Sequence, residues 1–153
     1  MIFILNNMEH ITTFLVKASD IGLSNNMFGG VILSLIDESA VAYAMQLCDT
    51  PRMVTVKIDE LVFKKAVKVG NLLKVYGNVI EFGNTSVSIY IEVRKHNVYN
   101  GNQETVTHTN IKFVRIDDDG NPLAISERIK KRYSERVKNF GKGLLSFEEK
   151  NKK

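Results

Sequence analysis

The stretch Asn25-Asn26-Met27-Phe28-Gly29-Gly30-Val31-Ile32-Leu33-Ser34-Leu35-Ile36-Asp37-Glu38-Ser39-Ala40-Val41-Ala42-Tyr43-Ala44 decides how this chain folds. It opens on turn formers and two glycines, then runs on without proline as one helix-compatible segment. Apolar residues fall on nearly every face: Val31, Ile32, Leu33, Leu35, Ile36, Ala40, Val41, Ala42, Ala44 and Met45. A helix apolar all round is a buried helix. Yet Asp37 stands near its middle, next to Glu38. A charge there is costly unless it is paired, hydrogen-bonded or facing a cleft, and ionisable groups in clefts are candidates for function. The pattern leaves two readings open: a reactive Asp37, or a narrow polar stripe of Ser34, Asp37 and Glu38 that meets water.

Working outward, the helix is expected from about Phe28 to Leu47, because the residue before Pro51 is pushed out of helix. Upstream, Ile11 to Ala18 reads as a first strand, followed by a loop in which the Asn pair suits a tight turn. Downstream the period changes from 3.6 to 2. Strands are expected at Met53 to Ile58, Leu72 to Phe82, Thr85 to Val93 and Glu104 to Ile116, with a further extended piece at Leu61 to Ala66. Gly83-Asn84 marks a hairpin. Asp117-Asp118-Asp119-Gly120-Asn121-Pro122 lacks calcium-loop spacing and reads as a turn. Ser126 to Lys138 reads as a surface helix with a serine cap, fraying after Asn139. The economical packing of one apolar helix and a continuous meander is α+β, with the helix wrapped by an antiparallel sheet of five or six strands.

The 153 residues suit a single domain over 1–153, with a core at about 11–124 and a basic helix and tail at 125–153. Hydrophobic residues at 44% and charged residues at 25% argue against a disordered or fibrous class. From Ser126 onward ten Lys/Arg face four Glu, a surplus of six, so the rest carries −2 within the total of +4. The basic character belongs to the tail, which is read as a solvated helix face and not as a nucleic-acid surface. Cys48 is the single cysteine and cannot form an internal disulfide, and Ile2-Phe3-Ile4-Leu5 is too short for a membrane span. A cytoplasmic protein is expected.

The chemistry on offer narrows quickly. His10, His96 and His108 are scattered without spaced partners, so no metal site is expected. No nucleophile elbow surrounds Ser34 or Ser39, and no Gly-Lys-Ser/Thr follows Gly29-Gly30. What remains is a helix start with exposed amides at two glycines and a carboxylate deeper in the same helix. Free N–H groups at a helix start bind an oxyanion, and a carboxylate serves as general base or nucleophile toward an activated acyl group. Seven residues of helix separate Gly30 from Asp37, about 10 Å of axis. Both cannot touch one carbonyl, so if both are catalytic, one subunit supplies the amides and another the Asp.

At these residues the chain resembles the hotdog-fold acyl-CoA thioesterases of the YciA and brain acyl-CoA hydrolase type. The resemblance is carried by Phe28 through Asp37, Val54-Thr55-Val56, Phe63 through Gly70, Gly83 through Ile89 and Asp118 through Pro122. It implies that Asp37 is the general base or nucleophile and that the Gly29 and Gly30 amides polarise the thioester carbonyl. It places Thr85 and Ser86, with Asn84, beside coenzyme A, which belongs to the substrate and is no separate cofactor. It also implies a homodimer, assembled further as a trimer of dimers. Three positions depart from the family: Gly22 stands where an Asn is usual, Asn25 where a Gly is usual, and Ala66 where a Pro is common. Asn25 tolerates left-handed backbone, and Asn26 or Asn25 is the candidate for the missing Asn. Phe28 completes the expected substrate contacts; Lys64, Lys65 and Arg94 are candidates for CoA phosphates, against the favoured reading of the lysines as a solvated strand edge. The competing reading is a hotdog module that binds acyl-CoA without turnover. A dehydratase of the same fold ranks last, since it needs a histidine that the central helix lacks.

Overall fold

The computed structural model describes residues 8–151, and side chains as far as residue 144. Its elements are β1 (Glu9–Leu15), a short 3-10 turn (Ala18–Asp20), α1 (Gly29–Cys48), β2 (Met53–Ile58), β3 (Leu72–Phe82), β4 (Ser86–His96), β5 (Gln103–Arg115) and α2 (Glu127–Asn151). The five strands form one antiparallel sheet in the order β1-β3-β4-β5-β2, which leaves β1 and β2 as edges.

Alternation builds the inner face. Leu73, Val75, Gly77 and Val79 of β3 and Val87, Ile89, Ile91 and Val93 of β4 are all buried. They meet a stripe of α1 made by Ile32, Ile36, Ala40, Tyr43, Ala44 and Leu47, spaced at three and four residues. The helix is apolar and long enough to cross a bilayer, but Ile36, Ala40 and Ala44 have no exposed surface and pack on the sheet. It ends at Asp49, whose left-handed backbone (φ 52°) sends its N–H to the Met45 carbonyl.

Several expectations need correction. The helix is not buried all round: Leu33 and Ser34 are exposed, and Val31, Leu35 and Val41 are half-buried. One sheet covers one side of a cylinder, so the two flanks stay open. On the β1 flank a groove of about 750 Å³ runs between β1 and α1, lined by Phe14, Val31, Leu35 and Glu38 among others. The first strand begins at Glu9 and ends at Leu15. The expected extended piece at Leu61 to Ala66 forms no strand, because its single backbone bond to the sheet, Lys64 N–H to the Val106 carbonyl (2.8 Å), starts no ladder. The terminal helix does not fray after Asn139 but runs to Asn151.

That helix also overturns the picture of a wholly solvated basic face. Arg128 and Arg132 pair with Asp49 at the end of α1, Tyr133 stacks on Phe82, and Arg136 holds Asn78 and Glu9. Phe140, 1% exposed, then rests on Tyr90. So α2 starts beside α1 and has reached the outer face of the sheet by Phe140. Serine, tyrosine and glutamate of β4 point outward as expected, yet Ser88 and Glu92 are buried there.

Candidate active site

Asp37 projects from the open flank of α1 toward β2, where Thr55 Oγ1 donates a 2.7 Å hydrogen bond to its Oδ1. It is half-buried, so one carboxylate oxygen is held while the other stays open to a reactant. Glu38, one residue on, points into the β1 groove, exposed and without a hydrogen bond or ion pair among the described residues. The neighbouring carboxylates therefore lie on opposite flanks of the helix. Thr55 lies in the Val54-Thr55-Val56 strand, where residue type and alternation give no sign of function. Only its side chain's inward reach from an exposed edge strand marks it, and that is a tertiary fact.

The helix start is built as expected. Asn25 has φ 57°, in the left-handed region, and closes a tight turn with Asn25 N–H on the Gly22 carbonyl (3.3 Å) and Gly22 N–H on the Asn26 carbonyl (2.8 Å). Phe28 is the N-cap residue, and its side chain offers the helix no hydrogen bond. Val31 and Ile32 N–H groups go to the Phe28 carbonyl, which leaves those of Gly29 and Gly30 unbonded among the described residues. A methyl group at Gly30 would sit 2.7 Å from Phe28 Cε1, and one at Gly29 would sit 3.2 Å from Phe63 Cε2. Two uncapped amides thus belong to glycines whose Cβ positions are overhung by aromatic rings, at the positive end of the helix dipole. Asn26 carries a buried side-chain oxygen with no hydrogen-bond partner among the described residues.

The remaining predicted residues lie elsewhere. Asn84, Thr85 and Ser86 form the β3–β4 turn, with the Asn84 carbonyl on Ile125 N–H (2.9 Å) and the Thr85 carbonyl on Arg115 N–H (2.9 Å). Arg115 is also in electrostatic contact with Cys48, so this turn belongs to the C-terminal end of α1. Burial pushes the Cys48 thiol up to about 11, which keeps it protonated and unreactive. Lys64 contacts His108 (Nζ to Nε2, 3.0 Å), and burial with that ammonium nearby holds the imidazole below its usual range. Lys65 pairs with Glu104. Arg94 is 6% exposed and donates to Glu92 at 2.8 Å, so it is not free for a CoA phosphate, contrary to expectation. Along α1 the order is thus the glycine amides, the Asp37–Thr55 pair and the hairpin, spread over about 30 Å of helix. A single chain does not bring them together. Among the described residues there is no group of three or more His, Cys, Asp or Glu placed to hold a metal.

With this geometry in place, comparison with known proteins is decisive. Residues 24–101, which include the whole of α1 and its glycine start, match the model of the thioesterase superfamily. The chain belongs to the thioesterase superfamily. It is 31% identical over 114 residues to the acyl-CoA thioester hydrolase YciA of Escherichia coli (strain K12), covering 72% of this chain and 86% of that one. Among solved structures it is similar to Cj0915, a hexameric hotdog fold thioesterase of Campylobacter jejuni. That likeness has a TM-score of 0.74 at 32% identity and covers 84% of this chain and 98% of the other. The hexameric thioesterase y2039 of Yersinia pestis aligns with a TM-score of 0.72 at 28% identity, over 78% and 96% of the two chains. The fold is a hotdog fold, with α1 as the helix inside the sheet.

Proposed function

We infer that this chain is an acyl-CoA thioesterase that converts acyl-CoA and water to free acid and CoA, with Asp37 as its general base or nucleophile. The observation that carries this reading is the half-buried Asp37 carboxylate, fixed on one oxygen by Thr55 and open on the other. As a base, Asp37 takes a proton from water while the oxygen of that water bonds to the thioester carbon. As a nucleophile, its own oxygen forms that bond first, and water then cleaves the anhydride. In both routes the carbonyl oxygen becomes an oxyanion, and the unbonded Gly29 and Gly30 amides are oriented donors for it. Collapse breaks the C–S bond and releases CoA as a thiolate, which takes the proton that Asp37 drew from water in the first route, or one set free when water cleaves the anhydride in the second. Asn26, whose buried side-chain oxygen lacks a partner among the described residues and can accept a hydrogen bond, is assigned to hold the water. Asn25 and Phe28 border the same helix start.

The amides and the carboxylate of one chain stand too far apart for one carbonyl, so the catalytic unit is a two-fold dimer in which each site takes Asp37 from one protomer and the glycines from its partner. β2 supports this arrangement. It is a sheet edge carrying exposed Val54 and Val56, the kind of edge that pairs with a second copy. The hexameric state of the Campylobacter and Yersinia relatives favours a trimer of such dimers. Asn84, Thr85 and Ser86 spend their carbonyls on the fold and keep side-chain groups for coenzyme A, with Lys64 as a basic contact. No cofactor beyond the substrate is required, and a cytoplasmic reaction fits a chain whose single cysteine is a buried free thiol.

Thiol release from acetyl-, hexanoyl- and palmitoyl-CoA, measured for the wild type beside Asp37→Ala, tests the assignment. Turnover lost in a folded variant is the expected result. A wild type that binds CoA without releasing thiol would replace the enzyme with a binding module.

A further inference from the structure

We propose that Phe63 is a specificity-determining residue of the thioester site, the wall that limits how broad an acyl group may be next to its carbonyl. The proposal rests on the thioesterase reading and carries it to a residue outside the helix. Phe63 belongs to the segment between β2 and β3, yet its ring stands 3.2 Å from the position a Cβ would take on Gly29, the first residue of α1. An oxygen accepting the Gly29 N–H must lie about 3 Å from that nitrogen. The ring, which fills the space beside the Gly29 Cα, borders the room left for the carbons attached to that oxygen.

The wall is firmly placed. Lys64 N–H bonds the Val106 carbonyl at 2.8 Å, and the Val67 carbonyl accepts Met27 N–H at 2.7 Å, so the segment is tied to β5 on one side and to the α1 approach on the other. Between these ties the ring keeps 48% of its surface open. An apolar face of this size beside two unbonded amides offers both a contact surface and a steric limit. Phe28 makes the facing contact over Gly30, but it is also the N-cap residue of α1, so changing it would disturb the helix start itself. Phe63 has no such second duty among the backbone hydrogen bonds of the described residues.

A straight acyl chain presents one methylene at the carbon beside the carbonyl, whereas an isobutyryl or pivaloyl group presents one or two additional methyls at that point. The limit therefore separates straight from α-branched substrates. The test is kcat/KM for butyryl-, hexanoyl-, isobutyryl- and pivaloyl-CoA with the full-length wild type, Phe63→Ala, Phe63→Leu and the exposed neighbour variant Val62→Ala. Phe63→Ala is expected to raise the branched-to-straight ratio about tenfold, the scale on which a hydrophobic pocket distinguishes one methylene. Phe63→Leu should fall between, and Val62→Ala should leave the ratio unchanged. A common loss for all substrates with a constant ratio would make Phe63 a structural residue and overturn the proposal. So would dissociation of the oligomer at constant ratio, which would make the ring a subunit contact. A wild type inactive on every substrate would remove the thioesterase reading, and this proposal with it, a result visible without any variant.

Discussion

The outer face of the sheet and the β2 flank of α1 each hold a carboxylate, on opposite terms. Glu92, on the outer face, is 7% exposed and saturated. Arg94 Nε donates to its Oε1 at 2.8 Å, Thr105 Oγ1 to the same oxygen at 2.7 Å, and Tyr90 OH to Oε2 at 3.2 Å. Burial and the nearby charge of Glu92 push the Tyr90 phenol well above its usual range, so it remains a donor. Asp37 has one partner, Thr55, and partial exposure. The lesson is that a fully satisfied carboxylate ties a structure together, whereas one held at a single oxygen is oriented and still has something to offer a reactant. Glu38, with no partner among the described residues, marks the other extreme.

Each part of that contrast can be broken. Asp37→Asn keeps the shape of the side chain and removes its basicity. It should lower kcat by about 10²–10⁴-fold, the usual share of a general base, while the melting temperature stays near that of wild type. Glu92→Ala should do the reverse. Leaving Arg94 buried and unpaired costs about 3–5 kcal/mol of stability in a denaturant titration, with activity per folded molecule preserved. Thr55→Val sharpens the comparison, because it makes Asp37 as free as Glu38 without removing its charge. A hydrogen bond to a charged group contributes about 1.5–3 kcal/mol, so kcat should drop by roughly one to two orders of magnitude with a smaller change in KM. Glu38→Gln completes the series. As an exposed and unpartnered position it should stay within about 0.5 kcal/mol of wild type in stability and show no measurable change in turnover. Loss of activity in Glu38→Gln would refute the division of labour between the two flanks.

Much of this was legible in the chain itself. The period of two through Val87, Ile89, Ile91 and Val93 placed a face of β4 that is entirely buried. The glycines after Phe28 marked a helix start, and Asn25 indeed adopts the left-handed backbone its residue type allows. Asp37 stood out because a carboxylate amid apolar residues requires a reason. Other features escaped local reading. Leu61 to Ala66 has the composition of a strand, but pairing is decided by a neighbour's backbone, and only Lys64 finds one there. The run after Asn139 is polar and rich in glycine, yet Phe140 anchors it by docking on Tyr90, fifty residues away in sequence.

The sequence by itself determined the long apolar helix, its glycine start, the meander that covers it, and the pair of acids, Asp37 and Glu38, set in that apolar run. These follow from periodicity and local backbone preference, which need no knowledge of what lies across the core. Only the tertiary structure decided which of two adjacent acids is held, that Thr55 holds it, that Phe63 overhangs Gly29, and that Arg94 is spent on Glu92. Those contacts join residues 18 and 34 positions apart or, for Arg94 and Glu92, neighbours on one face of β4 whose pairing is set by their burial. Their energies depend on distances that no local pattern encodes.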